Sequence, residues 1–285
     1  MQNNNALNTE LSTKPLHGDY KFPTVQTYHF WGTRVDSLTK SEALEAIHSL
    51  ISQRRPENIS RPAQVYFTNV HTIHLARKDP EFHRIIEQAD LVLPDGSGLD
   101  LAGRLFRKPI RENLNGTDLT PEVLGIAEEQ GWSVYLLGAK PNVMNNCVRH
   151  IRRRFPDLIL AGHHHGYFDE VQEKIILREI FRYQPDIVLV GMGAPLQEKW
   201  ITNHLDDLEA RICFGVGGLF DFLGGEAPRA PRWMRNAGIE WVYRFLHQPK
   251  KKWNRVFVEI PLFLGFIFVN WLRMKSNAMV ETVTS

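Results

Sequence analysis

The chain predicts a doubly wound α/β domain with a mostly parallel sheet, followed by a C-terminal helical appendage that associates with a membrane. Three observations lead there. Six short apolar runs, at residues 65–68, 91–93, 134–137, 158–160, 187–190 and 212–216, alternate with amphipathic stretches. The runs are near-continuous, as strands buried on both faces of a parallel sheet must be. Most are followed by the Gly, Pro, Asp or Asn of a turn, which completes a repeated βα unit with right-handed crossovers.

The segments between the runs read as helices. Residues 41–52 start with Ser41 as cap, and residues 142–155 carry an arginine-rich face. Residues 170–183 place Val171, Ile175, Ile176 and Ile180 on one side. Composition shifts near Ala227, where Pro, Arg and Trp become dense. The expected division is a polar arm at 1–27, the α/β domain at 28–226 and the appendage at 227–285. The arm has no apolar core, so a signal peptide is not expected.

Composition narrows the function. With 43% hydrophobic and 23% charged residues the chain is globular. Its 34 basic and 32 acidic residues nearly cancel, so nucleic acid is not an expected partner. Cys147 and Cys213 lack the C-x-x-C spacing of a redox or thiolate-metal site. His163, His164 and His165 are adjacent, point in different directions and have no paired carboxylate, so they read as a solvated loop rather than a metal site. The P-loop, the dinucleotide fingerprint and the G-x-S-x-G elbow are all missing from this sequence, which argues against a P-loop NTPase, a standard NAD enzyme and an α/β-hydrolase.

The end of the chain has its own character. Residues 256–272 are strongly apolar, with Lys250, Lys251, Lys252 and Arg255 before them and Arg273 and Lys275 after. As a helix this run is about 25 Å long, short of a bilayer core, and Glu259 and Pro261 interrupt it. Basic flanks with Phe and Trp anchors fit a helix lying on a cytoplasmic leaflet. A packed helix, an oligomer contact and a full span are the alternatives.

Doubly wound sheets bind ligands at the carboxyl ends of their strands. The loops there contain Thr68 and Asn69, Pro94 to Gly98, Gly138, Gly162 to Gly166, Gly191 to Gly193, and Gly217, Gly218 and Asp221. Glycine allows close backbone approach, and such loops suit phosphate-bearing ligands. Asp95 projects from a strand end, where a carboxylate can take a proton from a substrate hydroxyl or tie down its own turn. Asp221 has the same two readings, ligand contact or cap.

The loops carry, in order, T-N (Thr68, Asn69), P-D-G-x-G (Pro94 to Gly98), N-G-T-D (Asn115 to Asp118) and L-L-G (Leu136 to Gly138). They continue with G-Y-F (Gly166 to Phe168), G-M-G-A-P-L-Q-E (Gly191 to Glu198), G-V-G-G-x-F-D (Gly215 to Asp221), R-A-P (Arg229 to Pro231) and E-W-V-Y-R (Glu240 to Arg244). This combination resembles the WecG/TagA/CpsF glycosyltransferases of bacterial surface-polysaccharide synthesis, over roughly residues 30–255. The resemblance implies a Rossmann-like, metal-independent enzyme with no cofactor, working on the cytoplasmic face of the membrane. It implies inverting transfer from a UDP-sugar, N-acetylmannosamine or a relative, to a polyprenyl-diphosphate-linked sugar. By position it makes Asp95 the base, with Thr68, Asn69 and Gln197 beside it. It puts Asp221 and Gly217 near uridine, and Gly96, Asn115, Gly138, Gly191 and Gly193 along the substrate cleft. Arg244, Lys251 and Arg255 of the appendage would face the diphosphate. The lysines at 250–252 stand where the family tends to carry arginine, keeping charge without the bidentate fork.

A non-catalytic nucleotide-sugar-binding subunit of a synthesis complex would keep the glycine loops. It could dispense with Asp95 and the cationic appendage, and this chain retains both.

Overall fold

The computed structural model describes residues 25–53, 61–247 and 249–283, without the side chains of 236, 251, 252 and 273–283. The polar arm lies almost wholly outside the described residues. Its last two positions, Gln26 and Thr27, belong instead to a strand. The strands are β1 (Gln26–Phe30), β2 (Thr33–Ser37), β3 (Ala63–Thr68), β4 (Leu91–Pro94), β5 (Ser133–Gly138), β6 (Ile159–His164), β7 (Ile187–Gly191) and β8 (Ile212–Gly215).

Strands β3 to β8 form one parallel sheet in the order β4-β3-β8-β7-β5-β6. All six apolar runs are strands of this sheet, and β4, β7 and β8 are buried at every position. Helices cover both faces. Lys40–Ser52, Gly116–Gln130 and Pro141–Arg154 pack on one side, and Pro80–Gln88, Glu170–Tyr183 and Leu196–Asn203 on the other. The first and last strands of the sheet in chain order, β3 and β8, are neighbours one strand in from the β4 edge. The crevice of this topology therefore opens above β3 and β8, between the loops that follow β4, β3, β8 and β7.

Four local expectations change. The first helix is capped by Thr39, not Ser41: Thr39 and Glu42 exchange hydrogen bonds in a capping box, one residue before the helix begins at Lys40. In Glu170–Tyr183 only Ile176 and Ile180 are buried, while Val171 is 68% exposed and Ile175 49%. That helix lies beside β6, an edge strand, so half of its apolar face overhangs the sheet. β6 itself runs to His164, so two of the three histidines are in a strand rather than a loop.

The fourth change is the hairpin β1–β2, which the sequence reading did not include. Trp31 and Gly32 turn it with φ of 56° and 83°, the left-handed pair of a tight hairpin. Such a φ is costly for a bulky residue, and Trp31 is held by its contacts. Its ring stacks on Phe266 at 4.4 Å, with the Arg77 guanidinium 3.6 Å from the ring centre. The hairpin thus receives the chain's last helix, Ile260–Val283. Phe263 and Ile267 of that helix share a buried cluster with Tyr28, Phe30, Val35, Ile73 and Leu99. Burying each stabilises the docked helix by about 1.5–3 kcal/mol. Its opposite face leaves Leu262, Leu264, Phe268, Val269 and Leu272 exposed.

Candidate active site

Asp95 begins the loop after β4. Its backbone N–H donates to the Thr68 carbonyl at 2.8 Å, so the parallel ladder continues one residue past the strand and aims the side chain over the sheet edge. Asn69, after β3, works at both ends. Its Oδ1 accepts from the N–H groups of His71 and Thr72, capping the helix Val70–Lys78, and its Nδ2 donates to Asp95 Oδ2 at 3.1 Å. The cap fixes which end of the amide meets the carboxylate, and this is Asp95's side-chain hydrogen bond within the site. Thr68 lies beneath, fully buried, with no partner for Oγ1 among the described residues.

Two cavities meet at this carboxylate. One, of about 250 Å³, lies between the β3, β7 and β8 loops and is lined by Asn69, His71, Gly193, Gly217 and Asp221 among others. The second, of about 220 Å³, lies toward the appendage and is lined by Gly96, Asn115, Asp118, Glu240 and Trp241 among others. Asp95, Arg244 and Arg255 line both. Of the expected site residues these three, with Asn69, Gln197, Gly96, Asn115, Gly193, Gly217 and Asp221, are brought to the two cavities. The side chain of Lys251 lies outside the described residues.

Gly138 and Gly191 do not line either cavity. A Cβ on Gly138 would sit 2.3 Å from the Gly191 carbonyl oxygen, and one on Gly191 would sit 2.6 Å from the Phe220 ring. Their glycines permit strand-to-strand and strand-to-helix contact rather than approach of a ligand. The distance from the β3–β8 junction explains it for Gly138, because β5 is separated from that junction by β7.

Gln197 is a strut. Its Oε1 accepts from the N–H groups of Gly193 at 3.0 Å and Gly217 at 2.9 Å, and its Nε2 donates to Glu198 Oε1 at 2.7 Å. Its Oε1 thus ties the β7 and β8 loops together, one Nε2 hydrogen goes to Glu198, and no hydrogen bond to Asp95 is present among the described residues.

Glu198 is the residue that sequence reasoning missed. It lines the first cavity, is 1% exposed, and its Oε2 has no partner among the described residues. Burial pushes its carboxyl up to about 7, against the lowering pull of the Gln197 hydrogen bond. It stands one residue after Gln197 in the quoted motif, and nothing local in the sequence marks it as buried.

The cations come from the appendage. Arg244, on the helix Glu240–His247, pairs with Glu240 at 2.8 Å and lies over the Phe222 ring at 4.6 Å. The pairing with Glu240 one turn earlier and the approach to the cleft are therefore both present. Arg255 opens a wider, π-helical turn, Arg255–Glu259, of the kind often found where a helix serves a site. Burial lowers the Arg255 guanidinium pKa, and the charge of Asp95 opposes that. The same turn ends at Glu259, which is buried and meets His71 Nδ1 at 2.8 Å. Burial acts to raise Glu259, and the hydrogen bond and charge of His71 outweigh it, so its pKa falls. That contact joins the turn carrying Arg255 to the helix capped by Asn69.

Among the described residues, no three His, Cys, Asp or Glu side chains are grouped to hold a metal ion. Arg255–Leu272 is long and apolar enough to cross a membrane by length and composition.

The chain matches known proteins over most of its length. The chain is 30% identical over 235 residues to N-acetylglucosaminyldiphosphoundecaprenol N-acetyl-beta-D-mannosaminyltransferase of Staphylococcus aureus strain MW2. The same protein of strain NCTC 8325 / PS 47 matches equally, and in both cases the alignment covers 82% of this chain and 89% of the relative. A model of the Glycosyl transferase WecG/TagA/CpsF family matches residues 28–277, from the first hairpin into the last helix. With its strand-end carboxylate, its glycine loops and its docked basic appendage, the chain belongs to the WecG/TagA/CpsF family of glycosyltransferases.

Proposed function

We propose that this glycosyltransferase moves a hexose, N-acetylmannosamine or a relative, from a UDP-sugar to a sugar on a polyprenyl diphosphate, with inversion. The carrying observation is the convergence of two cavities on Asp95 beside two arginines. Two substrates can then reach one base from different sides. The glycine loops of the first cavity suit the nucleotide because they allow it close to the backbone, with Gln197 holding the N–H groups of Gly193 and Gly217 and so fixing the loops' shape.

In this reading Asp95 takes the proton of the acceptor hydroxyl as its oxygen forms the new bond to the anomeric carbon. The bond from that carbon to the UDP oxygen breaks on the opposite face, and UDP leaves with the electron pair. Arg244 and Arg255 meet the charge that builds on the diphosphate, and being preorganised by Glu240 and by the docked turn they need no rearrangement to do so. Asn69 holds the carboxylate in place and Gln197 holds the nucleotide loops.

The exposed apolar face of Ile260–Val283, with Trp253 and Phe257 before it, supports peripheral attachment to the cytoplasmic leaflet, where the lipid-linked acceptor is held. The buried, paired Glu259 and the docked Phe263 and Ile267 favour a helix lying along the surface over one crossing it. Incubating the protein with a panel of UDP-sugars and a polyprenyl-diphosphate-linked N-acetylglucosamine, and measuring UDP release with product anomericity, tests the whole reading. A protein that binds UDP-sugars but releases no UDP with any acceptor is the non-catalytic subunit instead.

A further inference from the structure

The second cavity has walls of a different chemistry from the first. Asn113 Oδ1 accepts from the Gly96 N–H at 2.8 Å, and Asn115 Oδ1 accepts from the N–H groups of Thr117 and Asp118 at 2.9 and 3.3 Å. Each asparagine has spent its acceptor on backbone, and among the described residues neither Nδ2 has a partner. Two amide donors of fixed orientation are therefore left for a ligand. Asp118 accepts a bidentate pair from Arg229 and a longer contact from Arg235, so this carboxylate is neutralised while its remaining lone pairs can accept. Trp241, 38% exposed, adds an aromatic surface at the edge of the cavity.

Side-chain amides, paired carboxylates and an indole make a set that suits a sugar. Its hydroxyls both donate and accept, an acetamido group offers a carbonyl to an N–H, and its C–H face packs on an aromatic ring. The glycine loops after β7 and β8, assigned above to the nucleotide, line the other cavity. The floor supplied by Val256 and Ile260 belongs to the same element that exposes its apolar face, so a ligand entering here arrives from the side where a lipid would lie.

We propose that the second cavity seats the terminal sugar of the acceptor, with the Nδ2 groups of Asn113 and Asn115 reading its oxygens and Trp241 packing on its ring. This rests on the lipid-linked transfer reading and goes beyond it by separating the two substrates in space. The reactive hydroxyl then approaches Asp95 from the appendage side, and the donor's anomeric carbon from the sheet side.

The test uses the full chain with a water-soluble, short-chain prenyl diphosphate N-acetylglucosamine. Asn115→Asp keeps the helix cap while removing the amide donor, Asn113→Asp does the same for the Gly96 contact, and Trp241→Ala removes the ring without adding charge. Each should raise the acceptor KM by tenfold or more and leave the UDP dissociation constant within twofold, with Trp241→Phe restoring most of the loss. A rise in donor KM with unchanged acceptor KM would overturn the assignment, as would no change in either. Equilibrium binding of the acceptor, without donor, separates the two layers. If the wild type binds it without turnover and the variants lose that binding, the sugar site stands and the transfer reading falls. If the wild type binds no acceptor, both fall.

Discussion

The two cavities differ in how they are made. The first is assembled from loops at the ends of β3, β7 and β8, all fixed by one parallel sheet. The second is closed by the helix Glu240–His247 and the turn Arg255–Glu259, which come from the end of the chain and reach the domain through side-chain contacts. The loops of the first are as rigid as the sheet, and Arg244, His247 and Arg255 of the appendage add one wall to them. The second exists only while the appendage is docked, by Glu259 on His71, Phe263 and Ile267 in their cluster, and Phe266 on Trp31. Chemistry that needs both cavities is thus conditional on a tertiary contact remote from the reacting atoms.

The largest expected effect lies at the point the cavities share. Asp95→Asn should lower turnover by about 10²–10⁴-fold with UDP affinity intact, measured by UDP release and by calorimetry. Near-normal turnover would reduce Asp95 to a turn residue. On the appendage side, Arg244→Ala should cost about 3 kcal/mol of transition-state stabilisation, roughly a hundredfold in rate. Were Arg244 merely the exposed partner of Glu240, the loss would stay within about 0.5 kcal/mol of stability and leave the rate unchanged.

A third prediction probes the rigid side. The Glu198 carboxyl sits near 7 in the folded protein against an ordinary 4.5, so folding takes up a proton between those values. Its contribution is fully present below pH 4.5 and is lost as pH rises through 7, by about 3 kcal/mol at ~1.4 kcal/mol per pKa unit. Denaturant midpoints of the wild type should fall from pH 5 to pH 8 more steeply than those of Glu198→Gln. Parallel curves would mean that Glu198 is ionised throughout. The smallest effect in a soluble assay comes from the outer face of the last helix. Leu264→Ser with Phe268→Ser leaves the buried Phe263 and Ile267 in place, so activity on short acceptors should hold within about twofold while sedimentation with anionic vesicles drops. Retained vesicle binding would place the anchor elsewhere.

Much of the rigid side was legible in the sequence. Continuous apolar runs can only be satisfied by burial on two faces, so the six strands and their loops followed, and with them Asp95, Asn69, Gly217 and Asp221. The appendage was legible as composition, not as contacts. His71 and Glu259 are 188 residues apart, and no local pattern joins them. The hairpin was hidden because its strands are short and mixed in polarity, although Trp31-Gly32 was the turn signal to read. Burial, which decides Glu198, Gly138 and Gly191, is a property of what packs above a residue and has no sequence period.

The last helix packs one face on the domain and offers the other outward. A body resting on that outer face stands off its support by one helix diameter, about 10 Å. The height of Asp95 above the support is then a constant of the fold, not a hinge setting. On the membrane reading this makes the protein a gauge of reach. An acceptor is anchored by its lipid, so its hydroxyl meets the carboxylate only when diphosphate and sugar together span that height.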